Sequence, residues 1–568
     1  MATVRVASAQ FYSGDDTEEN LKLCQDFIER AAAGGAQLVV LPENSNRNRS
    51  YANPAECYQH AVTLPGPFFD PIIEQVRRLK MYLVINTDLR GSRAPEVFIT
   101  SVLIGPKGVI GRHRKHILWD YEYTLFVPGE EECQVFDTEL GRIGMQICGD
   151  GILPETPRCL ALLGAQMLCN SLNSRGPDEK RLHIPCRAIE NRCWHISSNS
   201  VGNPLPEVPW TGGSQVVAPD GSVLVCASET EPDLVFADIE PELADDKRCA
   251  VTDHIFAWRR PDLYRILEEP VESLPAAPFY GKLADDDRPA PVRAAAMQLS
   301  LYHDYGYTLR RAEGQIAYAG FRGAQLGVLP QLFPFAPDEP QRDAAGCARK
   351  SWDILPRLQG KVREVGIWLA TSLVEEENGS FFHTAYLLSP RGEIAGRYRK
   401  THLNSGEQRW ASAGDDLPVF QTEIGILGII IGDEIWVPEV ARCLALKGCE
   451  IYLHPCSWAT EQEARILAVQ RVEENKVHLV SANRLDSPAP CGSQIVMPDL
   501  PFPGQPIALQ RYPMAYMSRY GFEEELILDL DRRVTHSKLM GFHLDCLKKR
   551  MPHIYHVMCA EQTAPVAR

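Results

Sequence analysis

The chain says most of what it has to say twice. VRVASAQ at 4–10 returns as VRAAAMQ at 292–298, and GGAQLVVLPE at 34–43 returns as RGAQLGVLPQ at 322–331, both at an offset of 288 (292 − 4 and 331 − 43). The agreement continues in order. IGRHRKH around Lys115 pairs with AGRYRKT around Lys400, RCLALLGAQ from Arg158 with RCLALKGCE from Arg442, and GGSQVVAPDG from Gly212 with CGSQIVMPDL from Cys491. A repeat of about 285 residues is far longer than the unit of a solenoid and is itself the size of a large domain. The expected organisation is therefore two copies of one domain, 1–285 and 286–568. Between them Glu268 to Pro291, EEPVESLPAAPFYGKLADDDRPAP, is rich in Pro, Ala and Asp and reads as a surface linker.

Composition narrows the partners. A formal net charge of −16 with no Lys/Arg-rich block opposes binding to nucleic acid or to anionic membranes. No apolar run approaches the roughly 20 residues needed to span a bilayer, and MATVRVASAQ has neither a basic nor a long apolar leader segment. A cytoplasmic protein with no membrane partner is expected. Its 17 cysteines include no C-x-x-C pair, so they read as reduced, mostly buried thiols, with no metal site and no cofactor implied.

Within each copy, short β-branched runs alternate with longer amphipathic stretches. AQLVVLP (Ala36 to Pro42), YLVINTD (Tyr82 to Asp88), SVLIGP (Ser101 to Pro106), GRIGMQIC (Gly141 to Cys148) and CWHISSNS (Cys193 to Ser200) read as strands. DTEENLKLCQDFIERAAAGG opens on Asp16 and Thr17, spaces Leu21, Cys24 and Ile28 on one face and ends at Gly34 and Gly35, as a capped helix does. A second helix is expected from Pro154 and Glu155, directly after the strand that ends at Cys148. The class is α/β, sheets covered by helices.

Three side chains stand where chemistry could happen. Cys148, between a strand end and a helix start, is placed where partial positive charge lowers a thiol pKa and backbone N–H groups can receive an oxyanion. Gly149 beside it would let a carbonyl approach the backbone. Glu43 emerges from an apolar strand end, where partial desolvation raises a carboxyl towards a general base. Lys115 sits in the basic cluster GRHRKH. Each alone is compatible with a buried thiol, a loop glutamate and a solvated lysine.

Together they resemble the carbon–nitrogen hydrolase family, the nitrilase superfamily, over essentially the whole chain, twice. LVVLPEN supplies the family's glutamate at Glu43, GRHRKH its lysine at Lys115 and GMQICGDGILPE its cysteine at Cys148. Glu122, seven residues after Lys115 and followed by FVPG, matches the second glutamate, and RAIENRCWHISSNSVG with GGSQVVAPDG matches the C-terminal core. The resemblance implies two tandem α-β-β-α sandwich domains packed as an intrachain pseudo-dimer, with further homo-oligomerisation open and the tail from Leu547 packing across the pair. It implies a thioester mechanism without metal: Glu43 as base, Cys148 as nucleophile, Lys115 and the amide near Gly149 at the oxyanion, and Glu122 holding Lys115 in register. Trp119, Tyr121, Tyr51 and Asn173 fall near the expected pocket mouth, where the aromatics could shape a substrate site, although packing is the simpler role for any single one. Cys-Gly-Asp-Gly at Cys148 to Gly151 is closer to the aliphatic amidase and formamidase branch than to the Cys-Trp-Glu of nitrile-hydrolysing members. That favours a small carboxamide substrate, with N-carbamoyl amide hydrolysis, nitrile hydrolysis and transfer of the acyl group to an amine left open, and a non-catalytic binding or scaffold protein as the alternative of another class.

The second copy departs from the pattern. Glu43 becomes Gln331 and Cys148 becomes Gly432, at the local offset of 284 shared by Gly144 and Gly428. An amide accepts no proton at neutral pH and glycine has no nucleophile, so this copy is expected to be inert. Lys400 and Glu407 persist, again seven apart. Their survival fits a remnant structural ion pair, the simpler reading, or a site that binds without turnover.

Overall fold

The structure is a computed structural model that describes residues 3–48, 50–176, 178–202, 210–277, 290–499, 513–540 and 544–561. The chain resolves into two compact units, neither of them a contiguous half. One combines the residues up to Lys247 with Leu539–Ala560; the other runs from Arg248 through 499 and adds 513–538. This partition differs from a division near residue 285, because the trailing segment of each repeat counts with the other copy's unit. The linker reading is corrected in part as well: Leu274 and Ala276 are buried, so composition misread an ordered segment as loose chain, while 278–289 lie outside the described residues. The tail from Leu547 belongs to the first unit.

The first unit carries strands β1 (Val4–Gln10), β2 (Leu38–Val40), β3 (Tyr82–Arg90), β4 (Val97–Gly105), β5 (Gly108–Arg114), β6 (Val135–Thr138), β7 (Gly141–Ile147), β8 (Met167–Leu172), β9 (Trp194–Asn199), β10 (Val201–Gly202), β11 (Trp210–Thr211), β12 (Gln215–Val217), β13 (Val223–Cys226) and β14 (Asp233–Ile239). They form two six-stranded sheets, β14-β1-β2-β3-β4-β5 and β13-β12-β9-β8-β7-β6, beside a small β10-β11 pair. The middle strands β1, β2 and β3 run parallel, as do β7, β8 and β9. Alternation along each strand sets the layers. Val6, Leu38, Val40 and Val84 meet Ile143, Met145, Met167 and Ile196 between the sheets. Ala7, Val39, Leu83 and Ile85 face helices α1 (Thr17–Ala33) and, beyond the short α2 (Pro54–His60), α3 (Phe69–Leu79). On the second sheet, α4 (Glu155–Leu162) packs against β7 and α5 (Ile184–Asn191) against β9. The result is the α-β-β-α sandwich.

Helix α1 begins where the sequence places it, with the Asp16 carboxylate accepting from the Glu18 and Glu19 amides, and it ends at Gly34. Its buried face is Asn20, Cys24, Phe27, Ile28 and Ala31. Leu21 is only half-buried at the edge of that core, because the 3.6-residue period turns it away from Cys24 and Ile28.

The second unit repeats the plan with β15 (Val292–Met297), β16 (Leu326–Gln331), β17 (Trp368–Glu377), β18 (Ser380–Leu388), β19 (Ile394–Arg399), β20 (Val419–Thr422), β21 (Gly425–Ile429), β22 (Ile451–Cys456), β23 (His478–Asn483), β24 (Gln494–Met497), β25 (Met514–Met517) and β26 (Glu525–Leu530). Its sheets are β19-β18-β17-β16-β15-β26 and β20-β21-β22-β23-β24-β25. Helices Tyr305–Phe321 and Ala344–Val365 cover the first of these. Every cysteine is a free thiol, most of them buried. Among the described residues no helix is long and apolar enough to cross a membrane.

Candidate active site

Three strand ends of the first unit converge. Beyond β2, Glu43 donates its amide to the Leu172 carbonyl at the end of β8 (3.1 Å), and Asn44 then turns the chain with φ of 55°. Asn44 is held there by Asn86, which accepts from its amide, and by Asp88 Oδ1, 2.6 Å from its side-chain nitrogen. Beyond β5, Lys115 is fixed through its backbone by Ile99 and Gly129. Beyond β7, the chain enters a single turn, Cys148–Gly151, with Cys148 itself at φ of 44°.

That turn is anchored from its third residue. Asp150 Oδ1 accepts from the His116 and Ile117 amides (2.9 and 2.8 Å), and Oδ2 accepts from the Ile147 amide (3.0 Å) and meets His113 Nε2 at 2.8 Å. The Cys148 amide donates to Asn170 Oδ1 (2.9 Å). Gly149 has no room for a side chain, since a Cβ would lie 2.5 Å from the Ile117 carbonyl oxygen. His113, His116 and Asp150 are close enough together to bracket a cation, but the hydrogen bonds just described already occupy the Asp150 oxygens.

The side chains meet in a buried cluster. Lys115 Nζ donates to Glu43 Oε1 (2.8 Å) and to both Glu122 oxygens (3.0 and 2.7 Å), with no exposure of its own side chain. Glu122 is steadied by the Trp119 amide, which donates to its Oε2 at 2.6 Å. The second Glu43 oxygen is buried with no conventional hydrogen bond, and the Cys148 thiol acts on the Glu43 carboxyl as a hydrogen-bond donor. Burial pushes Glu43 up to about 7, against the opposing pull of Lys115. Lys115 stays charged: burial works against its proton, but Glu122 and Glu43 outweigh it and hold its pKa well above the usual lysine range.

The expected depression of the Cys148 pKa does not occur. Burial first, and the neighbouring Glu43 carboxyl second, push the thiol well above its ordinary value, and Lys115 offsets this only in part. The reason is local. The nearest regular helix begins only at Glu155, and at the sulfur the Glu43 carboxyl outweighs the Lys115 ammonium. The resting pair is a thiol beside a base.

The remaining sequence candidates divide. Tyr51 is buried in the same apolar cluster as Cys148, but its hydroxyl is committed to Asp88 Oδ2 at 2.6 Å, so it serves as a wall. Asn173 exchanges two hydrogen bonds with Asn48 (2.9 and 2.7 Å). Trp119 contributes its backbone to Glu122, and Tyr121 is 46% exposed on the same short turn. Sequence reasoning overlooked Asn170 and gave Asp150 the part of a substrate-class tag. It also passed over Glu179, a buried carboxylate that raises the Cys148 pKa further and keeps Oε1 without a hydrogen bond. Glu179 stands in a wide helical turn, Glu179–His183, before α5, which has no local sequence signature.

The model of the family described as carbon-nitrogen hydrolase matches residues 5–248 and again 293–488. The chain belongs to the carbon–nitrogen hydrolase family. A nitrilase of Pyrococcus abyssi is 31% identical over 250 residues, 44% of this chain and 94% of its own length. An (R)-stereoselective amidase of a Pseudomonas species is 32% identical over 223 residues, 38% of this chain and 77% of its own, and human deaminated glutathione amidase is 29% identical over 283 residues, 47% and 85%. Among solved structures, an amidase from a Nesterenkonia species is 27% identical over 43% of this chain and 93% of its own, with a TM-score of 0.39. Each relative is about as long as one repeat. The two units of this carbon–nitrogen hydrolase differ in what they retain.

In the second unit the same three strand ends converge with altered groups. Lys400 Nζ pairs with Glu407, as Lys115 does with Glu122, and with Asp433. Gly432 adopts φ of 53°, close to that of Cys148, but a Cβ there would stand 2.1 Å from Gln331 Oε1. The amide of Gln331 thus fills the space a thiol would need. Glu434 anchors the turn as Asp150 does, accepting from Tyr398, Thr401 and the Ile431 amide.

Proposed function

We propose that the first unit hydrolyses a small carboxamide to a carboxylate and ammonia through a thioester on Cys148. The observation that carries this reading is the division of labour on Glu43: one oxygen is held by Lys115, the other is buried without a hydrogen bond, and Cys148 is a close neighbour of the carboxyl. With a pKa near 7, this carboxyl can both take and return a proton close to neutrality.

The Cys148 proton passes to Glu43 as sulfur bonds to the amide carbon, and the carbonyl π pair moves to oxygen. Lys115 and the Gly149 amide stabilise that oxyanion, since the Cys148 amide is already committed to Asn170. Collapse of the tetrahedral species breaks the C–N bond, and the carboxylic acid now present at Glu43 protonates the departing nitrogen. Water enters, gives one proton to Glu43 and adds its hydroxyl to the thioester carbon; a second collapse breaks the C–S bond, Glu43 returns the proton to sulfur, and the freed carboxylic acid loses its remaining proton to solvent. Glu122 holds Lys115 between two carboxylates, so the ammonium stays charged and in position throughout.

The reading is tested by ammonia release over a panel of aliphatic amides, N-carbamoyl compounds and nitriles, with Cys148→Ala as the blank. Intact-mass measurement of the quenched enzyme should show one acyl adduct. Identical behaviour of the parent and Cys148→Ala chains across the panel overturns it.

A further inference from the structure

The two copies build the same helix and finish its outer face differently. Helix α6 (Tyr305–Phe321) is the counterpart of α1 at the offset of 288. It buries Leu309, Ala312, Ile316 and Ala319 in the core of the second unit. On the opposite side Tyr307, Arg310, Gly314, Tyr318 and Phe321 recur at the three- and four-residue spacing of one helical stripe. The matching positions of α1 are Glu19, Lys22, Asp26, Arg30 and Ala33, a charged surface in which Arg30 and Asp26 form an ion pair at 3.3 Å. One copy keeps a solvated face, and the other has exchanged that ion pair for a tyrosine and a glycine.

The exchange leaves apolar surface in water. Tyr307 and Tyr318 are 43% and 44% exposed, and Phe321 is 85% exposed, which is unfavourable unless another surface covers them. Gly314 points the same way. A glycine in mid-helix weakens the helix relative to alanine, and a Cβ here would meet nothing within 4 Å, so no contact inside the chain calls for it. A bare backbone at the centre of an aromatic stripe lets another helix approach closely.

The stripe is also symmetric about Gly314. Tyr307 lies seven residues before it and Phe321 seven after (314 − 307 and 321 − 314), with Arg310 four before and Tyr318 four after. A second α6 crossing antiparallel at Gly314 therefore sets Tyr307 on Phe321 and Arg310 on Tyr318, each pair formed twice, as a two-fold axis requires. A guanidinium complements an aromatic face in charge. Arg310 is free to turn to one, since its ion pair with Asp304, at 3.8 Å between exposed side chains, is worth little. At 150–250 Å² for a fully buried ring, the exposed parts of the three rings offer about 300–400 Å² per copy. The arginine stems and Ala317 bring the total for both copies to roughly 1,000–1,200 Å², where specific but weak dimers begin.

We propose that α6 is the surface through which two copies of this chain dimerise, antiparallel about Gly314, with a dissociation constant on the order of micromolar. The net charge of −16 disfavours an anionic lipid surface as the occupant.

Sedimentation velocity of the full chain from roughly 0.1 to 100 μM brackets that constant, and a shift from monomer to dimer is expected. Gly314→Gln should weaken dimerisation by more than about tenfold, because its side chain blocks the crossing. The same change should raise the Tm of the dilute monomer by about 1–2 °C, because it removes a mid-helix glycine; a residue with only an internal role cannot move the two in opposite directions. Phe321→Ser, at an exposed position, should weaken dimerisation to a similar extent. Gly314→Cys treated with a short bismaleimide should link two chains through residue 314, since crossing helices lie about 8–10 Å apart, while the parent chain stays unlinked. The proposal is overturned by a monomer throughout the range, by a dimer that Gly314→Gln and Phe321→Ser leave intact, or by a dimer that does not link at 314. Binding of a monomeric chain to phosphatidylcholine vesicles, lost in Phe321→Ser, would give the face to lipid and overturn it as well.

Discussion

Exchanging Glu43 for glutamine keeps the shape of the side chain shared by Lys115 and Cys148 and removes its capacity to take a proton. In the parent chain, burial holds the Glu43 carboxyl at about 7 and the Cys148 thiol well above the ordinary thiol range. If sulfur is activated by Glu43, alkylation of Cys148 by iodoacetamide rises with pH as the carboxylate forms, reaches half its plateau near 7 and levels off. A thiol ionising by itself would instead climb about tenfold per pH unit through 9, because at pH 7 only ~1% or less of it would be thiolate. Glu43→Gln should abolish the limb near 7 and lower both alkylation and turnover at neutral pH by about 10²–10⁴, the usual contribution of a positioned base. Timed quenching across the pH range with intact-mass readout measures both profiles. A parent profile that climbs through 9 without a break near 7, or a glutamine variant with the parent's profile, would refute the assignment.

Gly149→Ala forces a methyl to within 2.5 Å of the Ile117 carbonyl oxygen; a cost of about 1–3 kcal/mol in thermal unfolding and a fall in kcat/KM of more than about tenfold are expected. Asp150→Asn turns an amide NH2 towards backbone donors that now meet a carboxylate, so a loss of about 2–5 kcal/mol is expected from unsatisfied buried groups, read by chemical denaturation. In a Cys148→Ala background, Gln331→Glu with Gly432→Cys should yield no acyl adduct, since a Cβ at 432 collides with the side chain at 331; a single adduct by mass spectrometry would contradict this. A chain ending at residue 285 should be insoluble or inactive, because it lacks Leu539–Ala560, whose Ile554 carbonyl faces the Cys159 thiol and whose Lys549 lies over the Tyr123 ring at 3.9 Å. Soluble, fully active protein from that chain would count against it.

What could be read in advance follows the range over which each signal acts. The strands around Val39, Leu83, Met145 and Ile196 and the Asp16 cap of α1 are written in neighbouring residues, and the convergence of Glu43, Lys115, Glu122 and Cys148 follows from matching three strand ends to a known pattern. The raised thiol pKa was not legible, because it depends on how far Cys148 sits from solvent and from the first regular helix turn. Nor was Asp433, since aligning the copies position by position shows a glutamate lost at 331 and hides its replacement from the adjoining strand end. The assignment of 539–560 to the first unit has no local sign at all: the Tyr555 and Met558 side chains look like any amphipathic turn until the fold shows them buried.

That assignment also orders events in time. Leu539–Ala560 leave the ribosome only after β26 has been made, so the unit translated first is completed only after all the strands of the second exist. The helix that follows the Cys148 turn, and the short turn that carries Glu122, wait for this segment through their neighbours Cys159 and Tyr123. A growing chain therefore carries an unfinished active centre through most of its synthesis. Interruption of translation anywhere in the second copy would release a thiol and its base without the residues that complete their surroundings.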